Sequence, residues 1–339
     1  MRLRGRIEIA RLESSVLREN RLGDPADRDV IVYLPEAYNG GSRFPVIVVL
    51  APFGATNHSL LNYEPWQPNV VERFDRLIER GASPPAILVM PDAMNRWGGS
   101  QFVDSPASGP YQSYIADEIL AWVDRTYRTI PKREARAVVG RSSGGFGALR
   151  LALDRPELVA AVGSHAGDCA FEVTLRSSFR SVAITLDRAG GLAPFLAAFE
   201  QKPQKTSADH DAIFVIACAA AYSPETQVAF PHVLLPFDAR TAHVVDEVWA
   251  RWLENDPVRR VARSEDSLRS MALVYLDAGD SDEHGLHFGA RVLAEALRAL
   301  GVRVEHDEHL GGHRGTGYRF ETSLPALARA LVPTESGTM

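Results

Sequence analysis

The stretch Ala135 to Arg150, ARAVVGRSSGGFGALR, limits what this chain can fold into more than any other part of it. An apolar, β-branched run from Ala137 to Val139 ends at Gly140-Arg141-Ser142-Ser143-Gly144. Helical spacing of Phe146, Leu149 and Leu153 begins at once and stops at Pro156. Glycines two residues either side of Ser142 permit a strand-to-helix turn sharp enough to leave its hydroxyl at the tip. Ser143 is out of frame for that role, because Arg141 stands two residues before it. The pattern alone is weak in a chain with 26 glycines, where a packing turn would look the same. Its position between a strand and a helix gives it weight.

The remainder of the chain alternates strand and helix. Residues 5 to 17 (Ile7, Ile9, Leu12, Val16) and Asp29 to Leu34 alternate apolar with polar and predict opening antiparallel strands. Pro45 to Leu50 is apolar on both faces and too short for a helix, so it predicts a buried central strand, as does Ala86 to Met90. Helical spacing follows each, over Val70 to Arg80 and Tyr114 to Tyr127. After the Ser142 turn come strand candidates at Leu158 to Val162, Ala272 to Leu276 and Val302 to His306, with a helix from Leu286 to Leu300. This order predicts an α/β fold with a largely parallel sheet covered on both faces. The interval from Ala170 to Leu268 is too long for a connection. Its helix-like patches at Gly191 to Glu200, Asp211 to Ala221 and Ala242 to Leu253 predict a mainly helical insertion over the strand ends. Residues 1–169 and 269–333 are then the core domain, 170–268 the insertion and 334–339 a frayed tail.

Composition narrows the function. A formal charge of −6 gives no footprint for nucleic acid, and no apolar run approaches the roughly 18 residues of a membrane span. The N-terminal segment has no signal-peptide core, so a soluble cytoplasmic protein is expected; the oligomeric state is open. Cys169 and Cys218 have no C-x-x-C spacing and are expected as buried thiols. His284, His287, His306, His309 and His313 lack the spacing of a metal site, and no cofactor is indicated.

A serine hydroxyl becomes a nucleophile when a base takes its proton, and the base needs a partner to fix its tautomer. Two late loops can supply them: DAGDSDEH after Leu276 and HDEHLGGHRGTG from His306. His313, after the flexible Gly311-Gly312, is the favoured base over His306 and His309. Asp282, three residues past Gly279, is the favoured acid, ahead of Asp280 and Asp277. An oxyanion needs amide donors: one from Ser143, the other from Phe53 or Gly54 in the loop after Leu50, since Pro52 has no N–H.

Several stretches together resemble the bacterial putative esterase family of α/β-hydrolases, which includes esterase D, S-formylglutathione hydrolases and enterochelin esterases. They are LGDPADRDVIVYLPEAY (22–38), VMPDAMNRWGGSQFVDSPASG (89–109), GRSSGGFGAL, SHAGD (164–168) and the late GGH. The resemblance covers most of the chain and implies Ser142, Asp282 and His313 as the triad. It also implies that 89–109 borders the active site, which makes Trp97, Phe102 and Tyr111 candidates to line a substrate pocket. Pro52 stands where the family commonly has glycine. The expected activity is hydrolysis of a small-molecule carboxylic ester through an acyl-enzyme. The alternatives are transfer of the acyl group to an alcohol or thiol, or a silent fold used for binding.

Overall fold

The computed structural model describes residues 3–332. One sheet contains β1 (Arg6–Glu13), β2 (Asp27–Leu34), β3 (Val46–Leu50), β4 (Ile87–Pro91), β5 (Arg136–Arg141), β6 (Ala161–His165), β7 (Leu273–Gly279) and β8 (Val304–His309). Their spatial order is β1-β2-β4-β3-β5-β6-β7-β8. β1 and β2 pair antiparallel, β2 joins β4 antiparallel, and every later pairing is parallel.

Both faces of this sheet are covered, and the two-residue side-chain period shows why the central strands are apolar throughout. In β3, Val46, Val48 and Leu50 pack into one core with Tyr114, Leu149 and Leu293. Ile47 and Val49 face the other way, against Phe74, Leu324 and Leu327. The helices over the second face are α1 (Val70–Glu79), started by a capping box of Asn69 and Glu72, and a C-terminal helix, Phe320–Ala330. Over the first lie α2 (Ser143–Asp154), the helix Leu286–Ala299 and a helical run beginning at Tyr111 whose middle, Tyr114–Ile119, is π-helical. The exposed edge strand β8 alternates with charged residues, which discourages pairing with other chains.

Two strands run further than their apolar pattern predicts. β6 begins at Ala161 rather than Leu158, whose amide closes a turn onto the Arg155 carbonyl, and continues to His165. Ser164 and His165 hide that continuation, because buried polar residues read as a strand end until their partners are known. His165 is satisfied by Asp277 on β7 at 2.7 Å and by Ser323 at 2.8 Å. β8 likewise covers Val304–His309 instead of Val302 to His306.

Between β6 and β7 the chain adds helices, chiefly Phe179–Arg188, Leu192–Gln201, α3 (Ser207–Tyr222) and Asp246–Leu253. The last starts four residues later than its sequence pattern, because Phe237 and Val244 form a bridge that occupies the preceding turn. α3 is capped by Thr206 and Asp209 and buried on nearly every side. Phe171, Phe179, Tyr222 and Trp252 of this segment form an aromatic cluster that reaches Phe146 of α2, so the segment shares a core with the body. Phe195 and Phe237 belong to the same core, whereas Phe230 is exposed. Both cysteines are buried and free. Among the described residues no single helix is long and apolar enough to cross a membrane. The tail expected to fray lies outside the described residues.

Candidate active site

Strand register puts the chemistry at one edge. Leu50 of β3 lies opposite Gly140 of β5, Arg141 opposite His165 of β6, His165 opposite Asp277 of β7, and Gly279 opposite His309 of β8. The carboxyl ends of these parallel strands therefore stand in a row, and the loops leaving them carry Phe53, Ser142, Asp168, Asp282 and His313. This is where open α/β sheets bind ligands.

Ser142 occupies the turn between β5 and α2 at φ 56° and ψ −124°. Such a backbone costs about 1–3 kcal/mol for a non-glycine residue and must be held by its surroundings. Its amide donates to the His165 carbonyl at 2.8 Å, and its carbonyl accepts from Phe146 at 2.9 Å. The flanking glycines are required by contact: a Cβ on Gly140 would lie 2.3 Å from the Gly144 backbone, and one on Gly144 would lie 2.3 Å from the Leu50 carbonyl oxygen.

The loops after β7 and β8 press together, so that a Cβ on Gly279 would meet the Gly311 carbonyl oxygen at 2.2 Å. Their contact brings His313 Nδ1 to 2.8 Å from Asp282 Oδ2 and His313 Nε2 to 3.0 Å from Ser142 Oγ. Burial alone would raise Asp282, but the His313 ring and the amides of His284 and Leu286 outweigh it and hold the carboxyl below its ordinary range. An ionised Asp282 can only accept, so Nδ1 carries the proton and Nε2 is left to accept from Ser142. The Glu283 carboxylate accepts from the His313 amide at 2.8 Å and fixes the loop.

The other sequence candidates are committed elsewhere. Asp277 is buried and engaged by His165, Arg319 (2.8 Å) and Tyr275 (3.0 Å). Asp280 is exposed in the turn, accepting from Gly311 and Ser281. His306 lies within β8 and His309 ends it, stacking edge-on against Tyr318. No group of three or more His, Cys, Asp or Glu side chains suited to a metal ion occurs among the described residues.

Of the three amides expected to serve an oxyanion, that of Gly54 is taken by the Gly98 carbonyl at 2.7 Å, which removes it as a donor. The Phe53 amide has no acceptor among the described residues. Ser143 opens α2, where no earlier turn supplies a partner for its amide. The segment 89–109 touches this loop through glycine: Gly98 and Gly99 lie under the Phe53 ring, where a Cβ would come within about 3 Å of it.

The aromatic candidates in and beside that segment are placed differently from the expectation. Tyr111 is fully buried and receives Arg28 at 2.9 Å. Trp97 is 2 % exposed and packs on Phe230. Phe102 fills the space left by Gly147 of α2. None of the three lines the cavity over Ser142, because large rings gain more from burial than from bordering a wet site.

That cavity encloses about 580 Å³. Its apolar wall includes Phe53, Phe214 of α3, Leu175 and Leu286, with the rings of Phe53 and Phe214 edge-on at 5.1 Å. Its polar wall includes Arg141, Asp168, His284 and Glu283. The His284 ring stands edge-on to His313 at 5.0 Å, and burial followed by the His313 charge lowers its pKa. Asp168 is 4 % exposed, with Oδ2 unpartnered among the described residues. Burial first, and Asp282 after it, pushes its carboxyl up to about 7 against the opposing pull of His313. Sequence reasoning did not single out Asp168 or His284 as cavity residues; the available signal was their place just beyond strand ends.

A model of the family described as putative esterase matches residues 23–325. The chain belongs to the putative esterase family. "Esterase MT1326" of Mycobacterium tuberculosis (strain CDC 1551 / Oshkosh) is 29% identical over 143 residues, 41% of this chain, and the match spans only 28% of that relative's length. Among solved structures, a ferulic acid esterase superposes with a TM-score of 0.62 at 20% identity, covering 96% of this chain and 99% of the other. An S-formylglutathione hydrolase from Agrobacterium tumefaciens gives a TM-score of 0.60 at 15% identity, covering 98% of each chain. At these identities the likeness shows the fold, which is the α/β-hydrolase fold.

Proposed function

We propose that this esterase-family chain is a serine hydrolase of carboxylic esters working through an acyl-enzyme. One observation carries the reading: Ser142 Oγ, held on a strained turn, lies 3.0 Å from His313 Nε2, whose other nitrogen is 2.8 Å from Asp282. His313 takes the Ser142 proton as Oγ attacks the ester carbonyl, Asp282 stabilises the imidazolium, and His313 returns the proton to the leaving alcohol. The amides of Ser143 and Phe53 hold the oxyanion. Water then repeats the sequence and frees the acid. Glu283, Arg314 and Gly315 on the cavity wall are exposed, which favours entry of water over retention of a second alcohol and so favours hydrolysis over transfer.

The test is hydrolysis of p-nitrophenyl esters of graded acyl length beside Ser142→Ala. A loss of about 10⁴-fold or more in kcat is expected for the variant. Equal rates in two folded proteins would overturn the reading.

A further inference from the structure

Arg141, between the last residue of the β5 core and Ser142, borders the cavity over Ser142 and also a second cavity of about 680 Å³ on the other side of the loop at Gly315. It is part-buried, yet no carboxylate among the described residues lies within ion-pair distance of it. Its hydrogen bonds go to neutral acceptors and are long: the His313 carbonyl at 3.3 Å and Thr316 Oγ1 at 3.4 Å. Burial and then the charge of Arg314 lower its pKa, and no acid offsets them.

None of the acidic groups that line the two cavities (Glu64, Asp168, Asp211 and Glu283) pairs with Arg141. In the second cavity Arg73 is paired with Glu321. In the first, Glu283 holds the His313 amide and Asp211 faces His210 at 3.7 Å. Arginine stays charged at any working pH, and a charge partly removed from water without a counter-charge favours any partner that supplies one. A planar guanidinium offers two parallel donors to a carboxylate. A ligand carboxylate would give Arg141 the counter-charge that no described residue supplies within ion-pair distance.

We propose that Arg141 is the specificity-determining group of this site, binding a carboxylate carried by the ester substrate beside its scissile bond. The preferred substrates are then half-esters of dicarboxylic acids or esters of hydroxy-carboxylic acids. This rests on the ester-hydrolase reading and adds the substrate class to it.

Two matched pairs of esters test it, each setting a carboxylate against its neutral amide. Meta-acetoxybenzoate with meta-acetoxybenzamide places the charge on the alcohol half, and monoethyl adipate with ethyl adipamate places it on the acyl half. In at least one pair the wild-type kcat/KM is expected to favour the carboxylate by about tenfold or more, the worth of a charge-assisted hydrogen bond. Arg141→Met is expected to lower that ratio by about 10- to 100-fold, and Arg141→Lys to retain part of it. A residue that merely braced the His313 loop would move both esters of a pair together and leave the ratio unchanged, which would overturn the proposal. The wild type alone gives a second readout, since the preference should shrink as salt is raised from low to molar concentration. A wild-type ratio at or below one in both pairs, with the neutral esters still cleaved, refutes the carboxylate site and spares the esterase. Failure to cleave any of the four esters brings down the esterase reading, and this inference with it.

Discussion

Replacing Asp168 with Asn should stabilise the protein, and increasingly so as pH rises. Asp168 sits on the loop after β6, 4 % exposed and with one carboxyl oxygen unpartnered among the described residues. Its carboxyl is raised from 3.8 to about 7, mainly by burial. The folded chain thus holds this proton more tightly than the unfolded chain. Stability linked to it is complete below the unfolded value of 3.8 and is lost as pH climbs towards 7. At about 1.36 kcal/mol per pH unit the loss totals about 4 kcal/mol, of which about 3 kcal/mol falls between pH 5 and pH 8.5. Asn keeps the shape and cannot ionise. Urea unfolding of both proteins at these two pH values, followed by tryptophan fluorescence, should give midpoints that diverge in favour of Asp168→Asn with unchanged slopes. Titrations of groups that do not interact with Asp168 are common to the two proteins and cancel in the difference, leaving its coupling to His313 and Asp282 as part of the effect read. A stability difference constant to within about 1 kcal/mol across that range would refute the reasoning.

Asp282→Asn should reduce kcat by about 10⁴-fold by leaving His313 in the wrong tautomer, while Asp280→Asn should stay within about threefold; steady-state kinetics on one ester decides between the two acids. Asp277→Ala removes the buried carboxylate shared by His165 and Arg319, which keep Ser323 and Asp307, and should cost about 1–3 kcal/mol in urea unfolding with little change in KM. Gly144→Ala forces a Cβ to 2.3 Å from the Leu50 carbonyl oxygen, so circular dichroism and activity should both show a disrupted turn rather than a folded, slower enzyme. Tyr111→Phe should lower stability by about 1–3 kcal/mol through the loss of a partner for buried Arg28 and leave KM unchanged.

The central strands were legible because residues such as Val46 to Leu50 are apolar on both faces, which a short buried strand requires and a helix does not. The end of β6 was not, because His165 owes its burial to Asp277 and Ser323, 112 and 158 residues away in the chain. Ser142, Asp282 and His313 could be proposed together because glycines mark the turns that carry them. The preference for Asp282 over Asp280 and Asp277 comes from its spacing past Gly279, whereas the engagement of Asp277 by Arg319 and His165 is a fact no local pattern holds. Nothing local distinguishes the Gly54 amide from that of Phe53, because the Gly98 carbonyl that accepts from Gly54 belongs to a separate loop. The same holds for Arg141 and Asp168: a missing partner is a property of the folded chain. Aromatic residues in a segment near the site were a poor guide to its lining, since Trp97, Phe102 and Tyr111 all turn into cores.

The most direct test of Ser142 as nucleophile is covalent capture by a fluorophosphonate, read by peptide mass spectrometry on folded wild type and folded Ser142→Ala. One adduct is expected, on the peptide holding Ser142, and none in the variant. A folded wild type that stays unlabelled, or a variant labelled as fully as the wild type, would contradict it.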